Sequence, residues 1–211
     1  VFRNTRTIRV LLPPGYRDPS NAGRKYPVLY LNDGIMAFRP RAVHVEEGVH
    51  GLITRGEIPP MVVVGIDNGA STKESTNPTV DRANEFLPYP DVGFAPRHLY
   101  PGEPPDPQGR FYPKFVIEEV MPLVEGRFRI AKGPANTGIG GFSYGGVAAL
   151  HTVLVRPGVF GKLLLESTPL WIGPDLQLLA DITSARRFPA AISVAVGNAE
   201  RDDPDINAEG L

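Results

Sequence analysis

Gly141-Phe142-Ser143-Tyr144-Gly145 sets a serine among small residues at the spacing G-x-S-x-G. That spacing suits a sharp strand-to-helix turn, in which the serine is held in a strained backbone conformation and glycines relieve the crowding around it. A serine so placed does nucleophilic chemistry: its hydroxyl attacks a carbonyl carbon while a nearby base takes its proton. The turn sets Oγ at the carboxyl edge of a sheet, and the backbone amide of Tyr144, at the start of the next helix, can donate to an oxyanion. In a chain with 23 glycines the pentapeptide alone is weakly specific. Its setting adds weight, because a buried strand is predicted before it and an Ala/Leu/Val-rich helix after it, with Gly140 and Gly146 permitting close packing.

Acyl chemistry of this kind needs three further parts. A second oxyanion donor belongs on the loop after an earlier strand, where Asn32-Asp33-Gly34-Ile35-Met36 lies; the backbone amide of Ile35 is the candidate, against an ordinary Asp-Gly turn. An acid should follow the serine near the end of a later strand, and Glu200 in Gly197-Asn-Ala-Glu200 is the first choice. Asp202, Asp203 and Asp205 follow at once, as alternative acids or as a solvated acidic loop. The base should be a histidine after the acid, and no histidine follows Glu200 in these 211 residues. Of the four present, His151 lies eight residues past the serine, about 12 Å along the same helix, and suits packing or surface. His44 and His50 fall on an early helix, and His98 in a proline-rich stretch that could fold over the sheet edge. The reading is that the last strand, its helix and the histidine loop lie outside this sequence.

The elements that must position these residues are legible as alternating apolar runs. Strands are predicted over Thr5–Leu12, Tyr26–Leu31, Met61–Ile66, Thr137–Gly141, Lys162–Leu165 and Ala191–Val196. Helices are predicted over 44–54, over Tyr112–Phe128 with a kink at Pro122, over Val147–Arg156 and over Asp175–Ala185. In the second of these, Phe115, Val116, Val120, Leu123 and Val124 are expected inward. Strands alternating with helices argue for an α/β fold, a mostly parallel sheet covered on both faces. The chain reads as one domain, 1–211, with a loop-rich insertion at about 67–112 whose aromatic residues give it material to bury.

Composition removes other classes of function. A net charge of −1 gives no electrostatic footprint for nucleic acid or an anionic membrane. The absence of cysteine excludes a thiol nucleophile, a cysteine-held metal and a disulfide framework, and leaves the compartment, cytoplasmic or secreted, open. No apolar run approaches the roughly 18 residues of a membrane span. The chain starts at Val1, compatible with an earlier leader or upstream segment.

Several longer segments carry a resemblance. Arg9-Val-Leu-Leu-Pro-Pro-Gly-Tyr16, Tyr26-Pro-Val-Leu-Tyr-Leu-Asn-Asp-Gly34, Gly65-Ile-Asp-Asn68, Asn84-Glu-Phe-Leu-Pro-Tyr-Pro90 and Gly140-Gly-Phe-Ser-Tyr-Gly-Gly146 together resemble the putative esterase family of esterase D, enterochelin esterases, feruloyl and acetylxylan esterases and mycolyltransferases. The resemblance implies an α/β-hydrolase fold, hydrolysis of a small-molecule carboxylic ester, no metal and no organic cofactor. It also implies Ser143 as nucleophile, Ile35 and Tyr144 as oxyanion donors and Glu200 as acid. The stretch Asp67–Pro90 looks most like the enterochelin esterase branch, where Arg82, Glu85 and Tyr89 could line a pocket or form an internal Arg–Glu pair. Trp171 could meet a substrate group or pack in the core. An acyltransferase, or a binding protein on a degenerate hydrolase scaffold, are the competing readings. A sheet lacking its last strand is expected to expose an apolar edge, which would favour a homodimer.

Overall fold

Six short apolar segments pair into one sheet in the computed structural model, which describes residues 1–71, 75, 77–92 and 106–197. The strands are β1 (Ile8–Leu11), β2 (Val28–Asn32), β3 (Val62–Ile66), β4 (Thr137–Phe142), β5 (Lys162–Glu166) and β6 (Ala191–Ala195), in the order β1-β3-β2-β4-β5-β6. Only β1 runs antiparallel, against β3; the other neighbours are parallel. The helices are α1 (Gly34–Ala37), α2 (Val45–Thr54), α3 (Pro78–Phe86), α4 (Tyr112–Phe115), α5 (Met121–Arg127), α6 (Tyr144–Val155) and α7 (Gln177–Ser184).

Because side chains alternate across a strand, the central strands feed two cores. Val28, Tyr30, Val62, Val64, Ile66 and Ile139 join a large cluster with Phe86, Tyr112, Val116, Val120, Val147 and Leu150. On the opposite face Leu31 and Val63 pack with Ala37, and with the half-buried Phe38, Val45 and Val49. The chain is therefore of the α/β class, a mostly parallel sheet with helices on both faces.

Most predicted elements appear with shorter ends. β1 begins at Ile8 rather than Thr5, since only that span pairs with β3. The 67–112 stretch contains more than loop: Asn77 caps α3 by accepting from the Val80 amide, Pro78 opens it, and Phe86 and Leu87 are fully buried. The long helix after Tyr112 differs in two respects. It passes from α4 into a π-helical stretch, Val116–Val120, before α5, so the wider turn accommodates Pro122, which has no amide hydrogen to donate. The π turn also rotates the face that follows, and Leu123, expected inward, is exposed while Val124 stays buried.

Candidate active site

The strand order reverses direction at β2. From there the chain crosses to β3 on one side, while β4 pairs on the other, so a crevice opens at the carboxyl ends of β2 and β4. Ser143 follows β4 directly, and Asp33–Ile35 follows β2. The two segments singled out for acyl chemistry thus leave the sheet side by side.

Ser143 has φ 52° and ψ −130°, a conformation sparsely populated by residues with a side chain and costing about 1–3 kcal/mol. Three hydrogen bonds hold it there. Its amide donates to the Glu166 carbonyl on β5 at 2.9 Å, and its carbonyl accepts from the amides of Gly146 at 2.9 Å and Val147 at 3.2 Å. The glycines around it supply space rather than positive φ. A Cβ on Gly141 would lie 2.5 Å from the carbonyl carbon of Gly145, one on Gly145 would lie 2.7 Å from Asp33 Oδ2, and one on Gly146 would collide with Thr168. The helix α6 then starts at Tyr144, so the Tyr144 amide lies in the first turn, which carries the positive end of the helix dipole. Its phenol donates to Asp91 at 2.7 Å, both groups buried.

The loop after β2 is not a plain turn. Asp33 takes the left-handed conformation, φ 56° and ψ 48°, and its carbonyl accepts from Met36 at 2.8 Å and Ala37 at 3.0 Å, so the chain bends straight from strand into α1. Gly34 is required for this approach, since a Cβ there would meet the backbone of Gly65 on β3 at 2.6 Å. Half-buried Ile35 lies in the first turn of α1. Two buried polar side chains tie the loop to its surroundings. Asn32 Nδ2 donates to the Gly145 carbonyl at 2.7 Å and its Oδ1 accepts from the Tyr112 hydroxyl at 2.7 Å. Asp33 accepts two hydrogen bonds at 2.8 Å from Arg82, and a further one from Asn68.

The expected pairing inside the insertion takes a different form. Arg82 bonds to Asp33, whereas buried Glu85 accepts two bonds from Arg6, at 2.6 and 2.7 Å, and one from the Gly69 amide. Burial pushes the Glu85 carboxyl upward against the opposing pull of Arg6. Tyr89 donates to Asp181 at 2.7 Å, and burial with that carboxylate pushes its phenol up to about 12. Trp171 packs against the main core.

The described histidines are placed elsewhere. His44 pairs with Glu47, and His50 Nε2 meets the Leu12 carbonyl at 3.0 Å. His151 is buried against Tyr89, and desolvation lowers its pKa. Glu200, Asp202, Asp203, Asp205 and His98 lie outside the described residues. Sequence reading passed over Asn32, Asp33, Asn68 and Tyr112 as site-forming residues. The available signal was an Asn-Asp pair ending a wholly apolar strand, since polar groups buried there must find partners.

A family model described as Putative esterase matches residues 1–205. The chain belongs to that esterase family. Among its relatives, the uncharacterized protein YbbA of Bacillus subtilis (strain 168) is 23% identical over 195 residues, covering 92% of this chain and 69% of that protein. Two solved structures share the fold. The siderophore hydrolase EstA from Aspergillus nidulans superposes with a TM-score of 0.69 at 21% identity, over 96% of this chain and 70% of the other. The enterobactin esterase FES from Shigella flexneri gives 0.55 at 24% identity, over 80% of this chain and 34% of the other. Among the described residues of this esterase-family chain, no helix is long and apolar enough to cross a membrane, and no cluster of side chains could hold a metal ion.

Proposed function

We propose that this protein hydrolyses carboxylic esters through an acyl-enzyme on Ser143, with the backbone amides of Ile35 and Tyr144 stabilising the oxyanion. The observation that carries the reading is the strained Ser143 backbone at the β4–α6 turn, placed at the sheet's switch point beside the β2 loop. Ser143 Oγ attacks the ester carbonyl carbon, the alcohol leaves with a proton delivered by the base, and water then releases the acid. Each oxyanion donor contributes on the order of a hundredfold or more in rate. Glu200 orients a histidine base, which is none of His44, His50 and His151, given their partners elsewhere. The names of the structural neighbours, a siderophore hydrolase and an enterobactin esterase, favour an ester of that class as substrate.

The test is intact-protein mass after incubation with a fluorophosphonate. Ser143 should gain one adduct that Ser143→Ala lacks, and in the full-length protein Glu200→Gln should slow turnover by about 10⁴-fold, as loss of a triad acid does elsewhere. Adduct formation that persists in Ser143→Ala would sink the assignment of the nucleophile. Full turnover in Glu200→Gln would move the acid to Asp202 or Asp203.

A further inference from the structure

We infer that the Arg82–Asp33 ion pair is a positioning device for the oxyanion hole: it fixes the β2 loop and neutralises a carboxylate that would oppose the developing negative charge. This rests on the reading of Ile35 and Tyr144 as oxyanion donors.

Asp33 stands two residues before Ile35, and its left-handed backbone turns the chain into α1. Its carboxylate also lies against the other donor's segment, since a Cβ on Gly145 would come within 2.7 Å of Oδ2. One side chain therefore abuts both backbone segments that make the hole. It is fully buried, and a buried carboxylate needs compensation. Arg82 supplies it from α3 in the two-pronged geometry of a guanidinium on a carboxylate. The guanidinium is itself fixed over the rings of Phe86 at 5.3 Å, Tyr144 at 5.7 Å and Phe142 at 5.8 Å. Nearby charges are already committed, Glu85 to Arg6 and Asp67 to Arg9. Among the described residues, Arg82 is thus the cation bonded to Asp33. Without it, a low-dielectric site would hold a carboxylate next to the position where the reaction creates an oxyanion.

A merely structural pair and a positioning pair differ in how the double variant behaves. In the full-length protein hydrolysing p-nitrophenyl acetate, Arg82→Gln should lower kcat by roughly 30- to 100-fold, with KM changed by less than about threefold. Asp33→Asn should lose less, because asparagine suits the left-handed backbone and removes the opposing charge. Asp33→Asn/Arg82→Gln should turn over at least about threefold faster than Arg82→Gln alone, read as kcat per folded molecule with the folded fraction of each variant measured by circular dichroism, so that coupling in stability alone does not count. Arg82→Lys keeps the charge without the fork and should fall between wild type and Arg82→Gln. If Arg82→Gln does not fold, the decisive outcome is a fall of about tenfold in kcat for Arg82→Lys at unchanged KM. A double variant as slow as Arg82→Gln, a loss confined to KM, or wild-type kcat in Arg82→Lys would each overturn the inference. Wild-type protein without Ser143-dependent turnover would overturn the esterase reading and this inference with it, whereas active wild type with unaltered Arg82→Gln overturns the brace alone.

Discussion

At the β2–β4 crevice the strand residues are covered on both faces and their polar ends are paired, whereas on β6 all five residues are exposed, Ile192 to 45% and Val194 to 70%. Both regions belong to one sheet with regular parallel pairing. The difference lies in what surrounds the backbone. Ser143 and Asp33 both hold positive φ, and each is fixed by bonds from at least two other segments. Strain of a few kcal/mol persists only where neighbours over-determine the geometry, and among the described residues the crevice has such neighbours while β6 does not.

Matched substitutions would break this contrast if it is false. Ile139→Ala on β4 should cost about 2–5 kcal/mol in urea denaturation, the usual range for truncating a fully buried aliphatic side chain. The elbow itself should be nearly as sensitive. Gly145→Ala places a methyl against Asp33 and Asn32 and should cost about 1–3 kcal/mol, with a fall of about a hundredfold or more in fluorophosphonate labelling rate as the hole is displaced. Labelling at the wild-type rate would mean that the close contact tolerates adjustment. Tyr112→Phe leaves Asn32 Oδ1 without its donor and should lower stability by about 1–2 kcal/mol.

A pH series sharpens the comparison for a buried group about two turns along α6 from Ser143. Burial holds the pKa of His151 below 6.5, so the unfolded chain takes up a proton that the folded chain excludes. His151's contribution is therefore full above about pH 6.5 and lost as pH falls through that value, by at most about 1.4 kcal/mol per pH unit. The urea midpoint of His151→Leu should show a shallower decline between pH 7.5 and 5.5 than that of wild type. The smallest effect belongs to β6: Ile192→Ala should shift stability by no more than about 0.5 kcal/mol, and a core-like loss would show that this edge is covered in solution.

Much of the fold was legible because its strands are short apolar runs bounded by turn residues, and because G-x-S-x-G falls between a strand and a helix. The elbow could be located from the pentapeptide together with the strand and helix predicted on either side of it, since its geometry is local. Leu123 was misplaced because helical periodicity assumes 3.6 residues per turn, and the π turn before Pro122 breaks that phase. Arg82 and Glu85 were read together because they lie three residues apart on one helix. Each is bonded instead to a group from a distant segment, Arg82 to Asp33 and Glu85 to Arg6.

The sequence by itself determined which segments become strands, where the serine turn falls and which chemistry it could serve, because these follow from local pattern and backbone sterics. Only the tertiary structure decided that β2 and β4 lie side by side, that Asn32 and Tyr112 lock the β2 loop to the elbow, and that Arg82 meets Asp33. Those contacts join residues 49 to 113 positions apart, and no local pattern encodes which distant partner a buried polar group will meet.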